Sequence, residues 1–268
     1  MLRRYDGEAR VLAGGQSLVP MMNFRLAAPA AIVDLNRVAG LAYIEEEAGV
    51  VCIGAMTRQR TLEFSPLVAE RLPLLREAIG WIGHLPTRTR GTIGGSLANA
   101  DPAAELPMVL QALDGEVVAR GPEAERRIAA ADLFEAPLTT SLAPDEVLAE
   151  VRLPAMRATA GCAIEEFARR HGDFAIAAIA AVLVPEGDGK VSARLATAGI
   201  GPVPVRLREA EAILEQRGLA ADAIAAAAAK AAELVEPLTD NNASADFRRH
   251  LTAVLTRRAV TAAAQRLG

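Results

Sequence analysis

Two glycine-centred stretches are the residues of this chain whose types and spacing could do chemistry. One is Val11-Leu-Ala-Gly-Gly-Gln-Ser-Leu18. The other is Thr92-Ile-Gly-Gly-Ser96, which continues through Leu97-Ala-Asn-Ala-Asp-Pro-Ala-Ala-Glu-Leu-Pro107. Glycine tolerates positive φ and lets a bulky ligand approach the main chain, and successive N–H groups in such a turn form a concave anion site. The pair predicts two loops gripping one dinucleotide, although tight turns between strands explain either loop taken alone. The commoner nucleotide signatures are missing: no Gly-x-Gly-x-x-Gly follows a strand, and no phosphate loop ending in Gly-Lys-Ser/Thr occurs. Gly199-Ile-Gly201 comes nearest, but Pro202 and Pro204 stand where a helix would have to begin.

Few other residues compete. Cys52 and Cys162 are far apart and belong to no Cys-x-x-Cys pair, so a disulfide framework, a zinc site or an iron–sulfur cluster within the chain is not expected. A net charge of −4 argues against nucleic acid, which calls for a clustered basic face. The charged start Met1-Leu-Arg-Arg has no apolar segment behind it and is not a secretory signal. The longest apolar run, Phe174 to Val184, is too short to cross a bilayer, so no membrane span and a cytoplasmic protein are expected.

The elements that must position the loops are brief. Arg10 to Ala13, Ala31 to Leu35 and Val50 to Gly54 read as short strands, with Glu45 to Glu47 as an acidic turn. Thr57 is placed to cap a helix over Arg58 to Phe64 that Pro66 closes, and Leu74 to Ile82 has helical spacing up to Gly83. Ala103 to Ala112 reads as a buried helix with Pro102 in its first turn. Gly115 to Ala119 and Val147 to Leu153 read as strands, and a boundary falls near Ala155 to Thr159. Beyond it, Phe174 to Val184 and Val191 to Ala196 predict a hairpin turning at Pro185 to Gly189. Arg208 to Gln216, Ala221 to Val235 and Ser244 to Leu267 predict three helices, with Gly218 closing the first. The last has Ser244 as N-cap and a stripe of Phe247, Leu251, Val254, Leu255 and Ala262. The pattern is α+β, without the long alternating helices of a doubly wound sheet.

With their flanks, the two glycine stretches resemble the paired FAD-binding signatures of the molybdenum hydroxylases, in their flavoprotein or medium subunit; carbon-monoxide dehydrogenase and xanthine dehydrogenase are the best-known members. Asp145 to Pro154, Arg169 to Ile176 and Ala243 to Leu251 match as well, so the resemblance covers nearly the whole chain. It implies a two-subdomain FAD-binding domain of the p-cresol methylhydroxylase type over residues 1–155, followed by a smaller α+β domain over 160–268. Carried over by position, it implies that Ala13, Gly14, Gly15, Gln16, Ser17 and Leu18 meet the FAD pyrophosphate on one side and Thr92, Ile93, Gly94, Gly95 and Ser96 on the other. It also implies cofactor contacts at Glu105, with Asp101 nearby, and at Leu148 and Glu165, where Glu165 stands in for a lysine of some members. Ile82 falls where some relatives set an aromatic ring, and Phe174 is the aromatic candidate for ring contact, or else a core residue at the start of a strand.

The implied role is electron transfer, with the chemistry carried by the flavin. A large partner subunit would hold the molybdenum cofactor, and a small one [2Fe–2S] clusters that feed electrons to the FAD. The acceptor would be NAD, a quinone or oxygen. No catalytic residue and no metal ligand is expected in this chain. Among the remaining residues, Arg88 and Arg90 could neutralise phosphate or face water, His84 reads as a loop histidine satisfied by backbone, and Trp81 as core beside the pocket. Family members begin with a strand and helix ahead of the first loop, whereas that loop here starts after about ten residues, and Met1 to Tyr5 is similar to the tail of that helix. The expectation is an upstream start or a truncated gene. The alternative function is a nucleotide-binding or scaffolding subunit that has lost FAD with the missing strand.

Overall fold

The computed structural model describes residues 1–5 and 7–268. After a single 3-10 turn at Leu2–Tyr5, β1 (Ala9–Leu12) runs into the first glycine loop and α1 (Leu18–Asn23), and β2 (Ala31–Asp34) returns parallel to β1. β3 (Ile44–Glu47) and β4 (Val50–Gly54) form a hairpin. The acidic run expected as a turn is therefore a strand. The turn falls on Ala48 and Gly49, both at positive φ, as a two-residue hairpin demands. β3 sits at the edge of its sheet, where a row of glutamates discourages pairing with another chain.

Four helices lie between β4 and the second glycine stretch, α2 (Gln59–Phe64), α3 (Pro66–Arg71), α4 (Pro73–Trp81) and α5 (Leu85–Arg90), and the stretch itself opens α6 (Ile93–Asn99). Thr57 does not cap α2. Its hydroxyl bonds Tyr43 backbone instead, accepting from the N–H at 3.1 Å and donating to the carbonyl at 3.0 Å. Pro66 both ends α2 and opens α3, where Ser65 accepts from the Val68 N–H. α7 (Glu105–Ala112) starts two residues later than expected, because Asp101 turns the chain by accepting from the Ala103 N–H at 2.9 Å. β5 (Glu116–Arg120), β6 (Glu125–Ala129), α8 (Ala130–Leu133), the short pair β7 (Phe134–Ala136) and β8 (Thr139–Thr140), and β9 (Val147–Pro154) complete this part. The main sheet has the order β3-β4-β9-β5-β6.

The rest of the chain forms β10 (Gly161–Phe167), β11 (Ala177–Gly187) and β12 (Lys190–Ala198), an antiparallel sheet in that order, then α9 (Arg208–Arg217), α10 (Ala221–Leu234) and α11 (Ala245–Ala264). The architecture is α+β in two domains. Both faces of the second sheet are buried, which explains why β11 reads as continuously apolar. Ala178, Ala180 and Val182 join the core of the first domain, and Ile179, Ala181 and Leu183 join the core under α9 to α11. Alanine on the inner face lets α7 lie close. The β11–β12 turn contracts to Asp188 and Gly189, both at positive φ.

The stripe expected on α11 is partly right. Leu251 and Leu255 are buried, while Phe247 is half-exposed and packs edge-on against Phe167. The buried face also carries Arg248, whose guanidinium donates to the carbonyls of Ile176 and Gly199 and pairs with Asp240 at 2.7 Å. A charged residue serving as an internal clamp breaks an apolar pattern. Among the described residues no helix is long and apolar enough to cross a membrane.

A buried ion pair of the second domain also reaches the first. Arg206 forks onto Glu211 at 2.6 and 2.7 Å and also reaches Asp114, while Glu211 accepts from the Leu195 N–H at 2.8 Å. Replacing Glu211 with alanine would leave a guanidinium that is only 8% exposed with Asp114 as its remaining carboxylate partner and orphan the Leu195 N–H. The expected loss is about 3 kcal/mol of stability, read as a lowered urea midpoint.

Candidate functional site

The first glycine stretch leaves β1 as an open loop. Among the described residues, the N–H groups of Gly14, Gly15, Gln16 and Ser17 donate to no acceptor within the chain. Gly15 has φ +74°, a conformation that costs glycine little. Ser17 precedes α1 without capping it, which leaves its hydroxyl free. Four adjacent unpaired amides and a hydroxyl are the donor set an anion needs.

The second stretch is built otherwise. It is the first turn of α6, not a loop. Thr92 is the N-cap, its hydroxyl accepting from Gly95 N–H at 3.0 Å, and the N–H groups of Ile93 and Gly94 donate to the carbonyls of Thr57 and Ala55. Its amides are already spent. The glycines serve close approach: a Cβ on Gly94 would sit 2.8 Å from Ala55 Cα, and one on Gly95 would sit 2.7 Å from Thr92 Oγ1 and 3.1 Å from Ala13 Cβ. Gly14 in turn presses on Gly91, where a Cβ would lie 2.8 Å from its Cα.

These approaches bring both stretches to one cleft of 490 Å³. Ala13 to Leu18, Thr92, Gly94, Gly95, Ser96, Asp101, Glu105 and Leu148 all line it. Two expected residues do not. Ile93 is 1% exposed and points into the core. Glu165 lies outside the cleft: along β10, Ile164 packs toward the first domain and Ala163 toward the helices, so alternation turns Glu165 to the helix side. Its neighbour Glu166 takes the inward face.

Ile82 and Phe174 also reach the cleft; Phe174 is 62% exposed at its rim, ahead of β11 and not in the core. His84 stands outside, packed against Gly172 at the start of α5. Trp81 is half-buried and stacks on His171 with ring centres 5.9 Å apart. Arg88 pairs with Glu63 at 3.2 Å and donates to the Ile82 carbonyl at 2.9 Å, a structural role. Arg90 lies behind the loop, and Arg58 holds its carbonyl together with Asn36 Oδ1; Asn36 in turn donates to Ala13 O at 2.9 Å. This chain of contacts pins the base of the glycine loop. A broader, more open pocket of 770 Å³ shares the walls Leu35 and Met56 with the cleft, but neither glycine stretch lines it.

Gln59 carries no motif that could have singled it out. It is 4% exposed, lines the cleft, and its Oε1 is buried with no hydrogen-bond partner. A buried carbonyl oxygen left without a donor costs free energy unless a ligand supplies one. At the opposite wall stand carboxyls. Burial pushes Glu105 up to about 7 and raises Asp101, and the Asp101 charge adds to the effect on Glu105. The cleft lining thus combines unpaired amides of the glycine loop with buried carboxyls at the start of α7.

Residues 1–156 match the family described as the FAD binding domain in molybdopterin dehydrogenase, and residues 162–263 match the CO dehydrogenase flavoprotein C-terminal domain. The chain belongs to the FAD-binding subunits of the molybdenum hydroxylases. It is 42% identical over 260 residues to the 6-hydroxypseudooxynicotine dehydrogenase complex subunit alpha of Paenarthrobacter nicotinovorans, covering 97% of this chain and 88% of the relative. It is 37% identical to the carbon monoxide dehydrogenase medium chain of Afipia carboxidovorans, covering 99% and 92%. The carbon monoxide dehydrogenase of Hydrogenophaga pseudoflava that lacks the Mo-pyranopterin moiety superposes with a TM-score of 0.97 at 38% identity, covering 100% and 93%. The subunit is part of an oxidoreductase, and FAD is its cofactor. The residues present fit that molecule: free amides for a diphosphate, and an orphaned acceptor in Gln59 for a hydroxyl or amide.

Because α6 can dock only where a side chain is missing, Gly94→Ala is expected to lower stability by about 2 kcal/mol, seen as a drop in thermal midpoint of the FAD-free chain.

Proposed function

We propose that this chain is the electron-transfer subunit of a molybdenum-containing dehydrogenase, loaded with FAD in the cleft between the glycine loop and α6. The observation that carries this reading is the row of unpaired amides from Gly14 to Ser17, residues that line the cleft. Those amides and the Ser17 hydroxyl would hold the diphosphate, with Ser96 across the cleft adding a hydroxyl. Gln59 would accept a hydrogen bond from the cofactor. The carboxyl end, with Glu105, Asp101, Leu148, Ile82 and Phe174, repels phosphate and suits the N–H-bearing flavin ring. Bound there, FAD supplies the exchange between single-electron and two-electron carriers.

The chain's own residues bind, orient and shield. The donors would be the iron–sulfur clusters of a small partner subunit, reduced in turn by a molybdenum centre in a large one. The acceptor would be external: NAD, a quinone or oxygen. Names of relatives such as medium chain and complex subunit support this division of labour. We place the working division of the chain at residues 1–155 and 160–268, and the complex in the cytoplasm.

The chain purified with its partner subunits should carry a flavin absorbance that bleaches when the complex's substrate is added. Failure to bind FAD after reconstitution would instead favour a scaffold. In the isolated chain, Gln59→Leu should raise the Kd for FAD about fivefold, the worth of one neutral hydrogen bond. An unchanged Kd would remove Gln59 from the site.

A further inference from the structure

Two parts of the cleft come from far apart in the chain and are tied to one buried guanidinium. The first is the segment between β10 and β11, which carries Phe174 to the rim. Its end is fixed by Arg248, whose Nη1 donates to the Ile176 carbonyl at 2.6 Å. The second is the turn from Asp101 to Glu105. There the Pro102 carbonyl accepts from the Gly199 N–H at 2.8 Å, and the Gly199 carbonyl accepts from the same Arg248 Nη1. Gly199 has φ +72° and lies so close to the first segment that a Cβ would stand 2.5 Å from the Ala175 carbonyl oxygen.

Arg248 projects from α11, and its side chain is 7% exposed. Its Nη2 pairs with Asp240 at 2.7 Å, in the connection between α10 and α11, while its Nε is buried without an acceptor. Burying a guanidinium with one donor unpaired is tolerable where its planar fork meets several acceptors at once. A return tie runs from the segment to the same connection: Arg169 donates to the Asn241 carbonyl at 2.9 Å. Between these ties, Gly172 packs on His84 and His171 stacks on Trp81. The segment is therefore held at both ends by the second domain and rests in its middle on the first.

We propose that Arg248 is a positioning residue for the cofactor: it sets the Phe174 segment and the Asp101–Glu105 turn at a fixed spacing, so that the cleft's affinity for the flavin dinucleotide depends on a guanidinium outside the cleft lining. Two walls supplied by different parts of the chain bind a rigid ring system well only when their spacing is set beforehand, since otherwise binding must order them. Lysine would keep the charge of Arg248, but its single nitrogen on a flexible stem cannot hold both carbonyls and Asp240 together. The cofactor half of this inference rests on the FAD reading of the cleft; the tether half does not.

The test uses the full chain. Trp81 is its one tryptophan and senses the segment through His171. In FAD-free Arg248→Lys, Trp81 emission should shift to the red and be quenched more strongly by acrylamide. Asp240→Asn should do the same to a smaller extent; its site is half-exposed, and the amide oxygen can still accept from the Asn242 and Ala243 N–H groups, so it carries the test if Arg248→Lys fails to fold. FAD titration should give a Kd raised about tenfold in Arg248→Lys and about threefold in Asp240→Asn. Leu214→Ala serves as the control. It hollows the core under α9 without removing any of these hydrogen bonds, and should lower the thermal midpoint while leaving Trp81 emission and Kd at wild-type values.

Trp81 signals in both tether variants that match the wild type overturn the tether. A Kd raised as much by Leu214→Ala as by Arg248→Lys assigns the loss to general stability and overturns the positioning role. An altered Trp81 signal with unchanged Kd overturns the link to the cleft. A wild type that binds no FAD, with Trp81 still responding to the variants, leaves the tether standing and overturns the cofactor reading.

Discussion

Three close approaches made at glycines hold the functional half of this protein together. Gly14 lies on Gly91, Gly94 on Ala55 and Gly95 against Ala13, and through them the loop after β1, the end of β4 and the start of α6 meet at one corner. Each contact also places something else. Gly94 against Ala55 spends the amides of α6 on β4 and its continuation, which is why the helix cannot offer them to a ligand. Gly95 against Ala13 sets the loop, with its unspent amides, in the lining of the cleft. The two glycine pairs look alike as residues and do opposite work, one exposing donors and the other consuming them.

That corner depends on a support on its far side. The second sheet is buried on both faces, and one apolar cluster runs from β4 and α4 through α7 into β10, β11 and β12. The Gly199 N–H donates to the Pro102 carbonyl at 2.8 Å, so the turn carrying Asp101 into Glu105 is anchored by the second domain. Buried apolar area of this kind acts as one cooperative unit. The second domain thus forms part of the cleft's rigidity and, through Phe174, part of its rim.

Electrostatically the cleft has two ends. At the loop, free N–H groups present partial positive charge, with Arg58 and Arg90 behind it; Arg58 is held partly desolvated beside Arg90, which lowers its hold on its proton. At α7 the wall is made of carboxyls in a poorly hydrated setting. Charge distribution, more than net charge, selects the ligand and its direction.

Residue order alone determined a good deal here: short strands, an α+β pattern, the helices of the second domain to within a residue or three, and two glycine stretches that come together at one cleft. Those features are local, since hydrophobic period, capping residues and turn chemistry act over a few positions. Tertiary structure decided the rest. It showed that Thr92 to Ser96 is a helix start with satisfied amides, that Ile93 and Glu165 turn away from the cleft, and that Gln59 turns into it. No local pattern distinguishes Glu165 from Glu166 or marks Gln59 at all. Which face of a strand or helix meets a cavity depends on elements packed from far along the chain, and the cost of an unpaired buried atom exists only once that packing has closed around it.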